Sequence, residues 1–529
     1  MQTPDNNNDL ILPLFLGRTP IISYMRGRLL TSKPWRLVPL FALLASWLIA
    51  GQNFDSPVNR DPTDVRMSRV LDGLLPAAII RGQPLPTMRL TERMRYHDVP
   101  GVSIAFFDNG DVRWARSFGL ADVAANRPVT QETLFQAASI SKSVTALAAL
   151  RLVQDGKLKL DEDVNFKLKS WKVPENEFTK TEKVTLREIL SHTAGLTVFG
   201  YGGYSTGKPL PTTVQVLNGE KPANSDAVRV DAIPGRQFRY SGGGYVVAQL
   251  LMTDVTGKTF PQLMRELVLQ PLGMTSSTFD QPLPRTIGQT AARPYDGKGQ
   301  PVQGGWHTYP EMAPAGLWTT PSDLARLAIE IQRAYAGQSK LLSESLAQQM
   351  LSYQSDGVYG LGVALGERGH ALSFSHSGGS AGYTSFFEGH PESGQGVVIM
   401  TNGDNGLALI GEIQRGVSQE YGWSDSRPEE HTLAKIDPAT LRAYTGMYLF
   451  GGLFRFTITQ KNGALYAYYP PFGNEPQELL PESDVRFFMT SHPVVFDFQK
   501  ESDGSIRRAQ VRNGSEKLEG EKISDPTLP

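Results

Sequence analysis

The chain has 529 residues, more than one ordinary domain holds, so two or three folding units are expected. Hydrophobic residues make up 40% and charged residues 20%, which supports a large core and excludes wholesale disorder, while a formal net charge of −1 excludes nucleic-acid binding by bulk electrostatics. The absence of cysteine removes disulfides, thiolate zinc sites, cysteine nucleophiles and lipid-modified cysteine anchors, and no two of the eight histidines stand at the i, i+4 spacing of a helical metal site, so no metal is expected.

At the N-terminus Arg26, Arg28, Lys33 and Arg36 precede an apolar run from Leu37 to Ala50. That run is short for a membrane span, which needs about 20 residues, but it suits the apolar region of a secretory signal. Residues 1–51 are therefore expected to be a signal peptide, with an uncleaved anchor as the alternative. Residues 1–24 are surplus to either, and Met25 is a candidate start. The mature protein is expected to be periplasmic or secreted, and to meet a membrane only if this segment stays attached.

Residues 52–425 mix strand and helix signals. Val102–Phe107, the turn Asp108-Asn109-Gly110-Asp111 and Val112–Phe118 read as a hairpin. Thr185-Leu186-Arg187-Glu188 opens a short helix with a capping-box pattern, and Thr320-Pro321-Ser322-Asp323 opens another with proline at its first position. Residues 197–235 are rich in Gly, Pro and Tyr without periodicity, and Phe199, Tyr201 and Tyr204 make this long loop a candidate substrate wall. Gln395–Met400 reads as a buried strand and Gly411–Tyr421 as a closing helix. A charged linker is expected over 426–439. Residues 440–529 then alternate apolar and polar positions, as at Phe454, Phe456 and Ile458, with a hairpin turn at Lys461-Asn462-Gly463-Ala464. This spacing predicts a small antiparallel barrel or sandwich of about 90 residues.

The stretch FQAASISKSVTALAALRLVQDGKL, residues 135–158, carries the strongest chemical signal. Its apolar spacing predicts a buried helix from Ser139 to Gly156, with Ser139 and Lys142 on one face of the first turn. A serine hydroxyl needs a base beside it, and a lysine serves only if its ammonium is destabilised. Burial and the positive end of the helix dipole both act that way, and the same helix end offers N–H groups to an oxyanion. Ser141 is adjacent to Lys142 and points away from it, which makes it the poorer nucleophile.

Phe238-Arg239-Tyr240-Ser241-Gly242 follows about one hundred residues on, ahead of a helix expected near Val246, and His376-Ser377-Gly378-Gly379 comes later, before an expected strand. The order S-x-x-K, Y-S-x, H-x-G resembles that of class C β-lactamase-like and penicillin-binding-protein-like serine hydrolases. LSHTAGL at 190–196 and GLWTTPSDLARL at 316–327 extend the resemblance to roughly residues 65–425. It implies an α/β (α+β) fold: a β-lactamase/DD-peptidase-like domain with an antiparallel sheet flanked by helices and an all-helical subdomain, followed by a barrel that resembles lipocalin-like domains. It also implies that Ser139 is the acylated nucleophile, Lys142 its base and Tyr240 the proton-shuttling phenol. The amides of Ser139 and Gly379 would form the oxyanion hole. His376, Ser377 and Gly378 would supply a substrate-binding strand edge, with glycine letting substrate lie flat. No cofactor is implied.

Two positions depart from the pattern. Gly242 stands where Y-x-N has asparagine, and His376 stands where K-T-G has lysine. The expected function is hydrolysis of a small-molecule or peptide ester or amide, D-amino-acid-containing peptides included, through an acyl-enzyme. The rival, favoured by the missing asparagine, is a weakly catalytic penicillin-binding sensor that acylates without turnover. The barrel is a candidate cleft cap or homo-oligomer interface. His192 is read as structural and His307 as a cleft-loop residue of open role. Gly378-Gly379-Ser380-Ala381-Gly382 matches G-x-S-x-G, the nucleophile elbow of α/β-hydrolases, but the β-prone residues after it are not the helix an elbow requires. Ser380 is therefore set aside.

Overall fold

The strand Gly101–Asp108 is buried along nearly its whole length, as expected of a central strand covered on both faces. The computed structural model that shows this describes residues 62–524 apart from 356, 358, 367–369, 425, 453, 473–474 and 515. The N-terminal segment read as a signal or anchor lies outside the described residues. Among the described ones, no helix is long and apolar enough to cross a membrane.

The turn at Asn109-Gly110, both at positive φ, folds Asp111–Asp122 back against Gly101–Asp108. Gln395–Thr401 pairs on the other side, with Val397 opposite Phe106 and Ile399 opposite Ile104. The seven-stranded sheet then continues through Tyr383–His390 and Phe374–Ser380 to Ala364–Leu365, with Arg127–Pro128 at the far edge. Early and late parts of the chain thus meet at its centre. Alternation sends Val102, Ile104 and Phe106 to one face, where Leu409, Ile413 and Val417 cover them. Ala105 and Phe107 face the larger core, which includes Val144 and Leu147.

The middle of the chain is helical, and two starts differ from expectation. The helix expected near Val246 begins at Gly242, because the Ser241 hydroxyl accepts the Gly244 N–H at 2.9 Å and caps it. The closing helix runs from Gly406, five residues ahead of Gly411. The Thr185 and Thr320 caps stand as the sequence indicates, opening Leu186–Leu190 and Pro321–Tyr335. Within 197–235 a short helix, Thr213–Asn218, interrupts the loop.

Eight antiparallel strands from Gly446–Phe450 to Glu516–Ser524 close into a barrel. Its interior is filled by side chains, with the Phe450, Phe456 and Phe496 rings 5.3 to 5.8 Å apart. Part of the segment expected as a linker is structured: Glu429–His431 pairs in parallel with Ala78–Ile80. Next to this pair, Thr490 O accepts the Ala77 N–H at 2.8 Å, and Ala78 packs with Phe488 and Val495 of the barrel. His431 lies on Phe488 between Glu429 and Glu482.

Candidate active site

Ser139 sits in a tight 3-10 turn, Ala138–Ile140, and the helix expected to start with it begins two residues later, at Ser141. The turn is forced. Ala138 has φ of 45°, a left-handed conformation that costs a non-glycine residue of order 1–3 kcal/mol and persists only where the surroundings hold it. The hold is on Ala137: its carbonyl accepts from Ser385 Oγ at 3.0 Å and from the Ile140 N–H at 3.1 Å. A Cβ at Gly378 would stand 2.0 Å from that oxygen. The glycine expected to let substrate lie flat is therefore required by the Ser139 turn itself.

Lys142 follows on the first turn of the Ser141–Gln154 helix and is 2% exposed. Its Nζ lies 3.0 Å from Ser139 Oγ and donates to Pro314 O at 3.0 Å. The Tyr240 and Tyr245 rings stand 4.9 and 5.8 Å from it. Burial lowers its pKa from 10.5 to about 7. Ser141 points elsewhere, its hydroxyl accepting the Leu317 N–H at 3.0 Å.

Tyr240 stands beside Ser139. Burial pushes its phenol well above 10, and its interaction with Ser139 only partly offsets this. His192 lies against Tyr240 with ring centroids 4.2 Å apart. Its Nδ1 accepts the Ser241 N–H at 3.0 Å and its carbonyl accepts the Arg239 N–H, which fixes the chain on both sides of Tyr240. His376 closes the group, 6.3 Å from Tyr240 between centroids, with Nδ1 against Ser377 O at 2.6 Å. Burial, and then the charge of Lys142, lower its pKa to about 3, so it is neutral at physiological pH.

The expected H-x-G stretch lies inside the strand Phe374–Ser380 rather than ahead of one. His376, Gly378 and Ser380 share the face toward Ser139, while Ser377 and Gly379 take the other, so Gly379 reaches the site only through its backbone. Ala364–Leu365 pairs with this strand only at Ser375 and Phe374, so among the described residues no strand lies beside Gly378–Gly379 on that edge.

The Beta-lactamase family model matches residues 89–413, more than half of the chain. The chain belongs to the beta-lactamase family. The unguisins hydrolase ungD' of Aspergillus campestris is 30% identical over 38% of this chain and 37% of its own length. Protein flp of Staphylococcus aureus is 24% identical over 58% of this chain and 60% of its own. The chain thus matches less than two thirds of the length of each of these two relatives. The octameric penicillin-binding protein homologue from Pyrococcus abyssi superimposes with a TM-score of 0.57 at 23% identity, over 81% of this chain and 98% of that one. This likeness is one of fold.

Gly242 stands where the pattern has asparagine, and the loop closes tightly on it: a Cβ there would meet Phe199 O at 3.0 Å and the Tyr201 ring at 3.2 Å. Phe199 packs on Tyr240 at 5.0 Å, and Tyr204 is buried with its hydroxyl 3.4 Å from Glu311. Ser380 Oγ donates to Gln136 Oε1 at 2.9 Å, and a turn and a second strand follow it. Gln136 reaches the His307 carbonyl, and His307 Nδ1 lies 2.7 Å from Gly202 O, tying the strand to the loop. Pro314, Gln136 and Glu311 escape the sequence reading. Pro314 acts through its backbone and leaves no signal, but a glutamate within PEMAPAGLW was a readable anomaly.

Proposed function

We propose that the protein is a serine hydrolase that cleaves an ester or amide through an acyl-enzyme on Ser139. The observation that carries this is the 3.0 Å approach of Lys142 Nζ to Ser139 Oγ where burial destabilises the ammonium. Neutral Lys142 takes the Ser139 proton as Oγ attacks the carbonyl. The amides of Ser139 and Gly379 receive the developing oxyanion. The proton then reaches the leaving group by way of the Tyr240 hydroxyl. Water attacks the acyl-enzyme with the same groups in reverse. Neutral His376 offers no fixed cation to a substrate carboxylate, and Gly242 offers no amide, so β-lactams and carboxypeptidase substrates are expected to turn over poorly. Similarity to a fungal hydrolase supports hydrolytic chemistry. The basic-then-apolar segment 26–50 supports a periplasmic or secreted location, tested by cell fractionation.

The test is a panel of p-nitrophenyl esters, D-aminoacyl amides and nitrocefin, with mass spectrometry of the adduct. Sustained turnover, an adduct on Ser139 and complete loss in Ser139→Ala are expected. Loss of activity in Ser380→Ala with retention in Ser139→Ala would sink the reading. Gly242 favours a second reading, an acylating sensor, for which a single burst without turnover is the signature.

A further inference from the structure

Glu311 Oε2 and Tyr201 Oη, two buried polar atoms in the same part of the fold, have no hydrogen-bond partner in the protein. Glu311 is 0% exposed and directly precedes the Met312–Ala315 turn of helix, from which Pro314 O holds Lys142. Its Oε1 lies 3.4 Å from the Tyr204 hydroxyl. On one side the phenol of Tyr309, bonded to Ser380, feels the Glu311 charge. On the other, Tyr201 feels it too and lies against Gly242, two residues from Tyr240. Glu311 therefore lies among Tyr201, Tyr204 and Tyr309, which link it to Gly242 on one side and to Ser380 on the other.

A carboxyl taken out of water with an oxygen left unbonded is costly, and an apolar residue there would avoid the cost. Burial raises its pKa to about 7, leaving it ready to ionise when a cation arrives. The facing groups are Tyr201, Tyr204 and Tyr309, all with raised pKa values and neutral at pH 7. A hydroxyl or amide ligand would be served as well by a neutral side chain. An ammonium needs the anion.

We propose that Glu311, with Tyr201 beside it, binds a protonated primary amine on the acyl part of the substrate, close to the scissile carbonyl. The substrate class is then amino-acid esters, amino-acid amides and peptides with a free amino terminus. This rests on the hydrolase reading above, and Glu311 acts there as a specificity determinant.

Two measurements test it. The first compares kcat/KM for the p-nitrophenyl esters of alanine, each enantiomer, and of propionate. The wild type is expected to prefer an alanyl ester by about tenfold or more, and Glu311→Gln to reduce that preference to about twofold or less. Tyr201→Phe should lower it severalfold and serves if the Gln variant fails to fold. The second titrates Ser139→Ala with alaninamide at pH 7 in two buffers of different ionisation enthalpy. Binding should release a proton as Glu311 ionises, the release should be lost when Glu311→Gln is added to Ser139→Ala, which separates it from any proton leaving Lys142, and propionamide should not bind. Ser139-dependent turnover of both esters without an alanyl preference overturns the amine proposal and leaves the hydrolase reading intact. Absence of turnover and of any Ser139 adduct overturns the hydrolase reading instead. In that case the calorimetry still decides the amine site, and lack of alaninamide binding overturns it.

Discussion

His376, His192 and Tyr240 ionise far from their ordinary ranges, and of the groups in contact with Ser139 it is Lys142 that titrates near neutrality. His376 falls to about 3, His192 is pushed well below 6.5 and Tyr240 well above 10, each by burial first. For a neutral ester, kcat/KM should therefore rise about tenfold per pH unit below about 7 and level off above it, as Lys142 loses its proton. A flat profile across pH 6–8 would remove Lys142 from the base role. The same shift has a stability sign. Below pH 7 the lysine is charged both folded and unfolded, so the cost of burying it is fully present; above 10.5 it is neutral in both and the cost vanishes. Lys142→Met should thus stabilise the fold most at pH 5, by at most several kcal/mol given about 1.4 kcal/mol per pKa unit, and progressively less toward pH 10 in urea titrations. Ser139 and Lys142 were legible because i, i+3 spacing is local geometry. The Pro314 carbonyl, the His192 ring and the conformation of Ala138 were not, because each depends on contacts made from distant parts of the chain.

The Phe374–Ser380 strand and the Ser139 turn form a single mechanical unit. A Cβ at Gly378 would stand 2.0 Å from the Ala137 backbone oxygen and 2.6 Å from Ser385 Oγ, so moving a side chain alone cannot make room for a methyl group. Gly378→Ala should lower kcat/KM by about 100-fold or more, the scale of an ångström's misplacement of the nucleophile, with thermal unfolding checked in parallel. A variant with near wild-type rate would show that the turn tolerates displacement. At this scale the sequence was readable where capping residues announce themselves, as at Thr185 and Thr320. It misled at Gly242-Gly243-Gly244, which fall ahead of the helix start expected near Val246 but lie inside the helix. Their helix is imposed by the Ser241 cap and by close packing, since a Cβ on Gly243 would meet Thr197 O at 2.5 Å.

Among the described residues, hydrolase unit and barrel meet along the strip at Ala78–Ile80 and Glu429–His431, and His431 is a titratable member of it. Burial opposes protonation of His431, but its bonds to Glu429 and Glu482 outweigh that and raise its pKa above 6.5. The stabilisation is therefore fully present below pH 6.5 and lost as pH rises through the raised value. His431→Ala should speed proteolysis between residues 424 and 436 at pH 6, with little difference from wild type at pH 9. Equal rates for the two proteins at pH 6 would release His431 from this role. The alternation of Phe454, Phe456 and Ile458 made the barrel legible, but a period of two says nothing about what the barrel touches. The pairing of Ala78–Ile80 with Glu429–His431 also lays an early and a late segment of the chain side by side. The helix Pro62–Asp72 ahead of it packs Val70 into the core under the sheet, so the chain leaves for the barrel close to where it enters that core. The barrel thus hangs as an appendix from a unit whose two ends are already tied together.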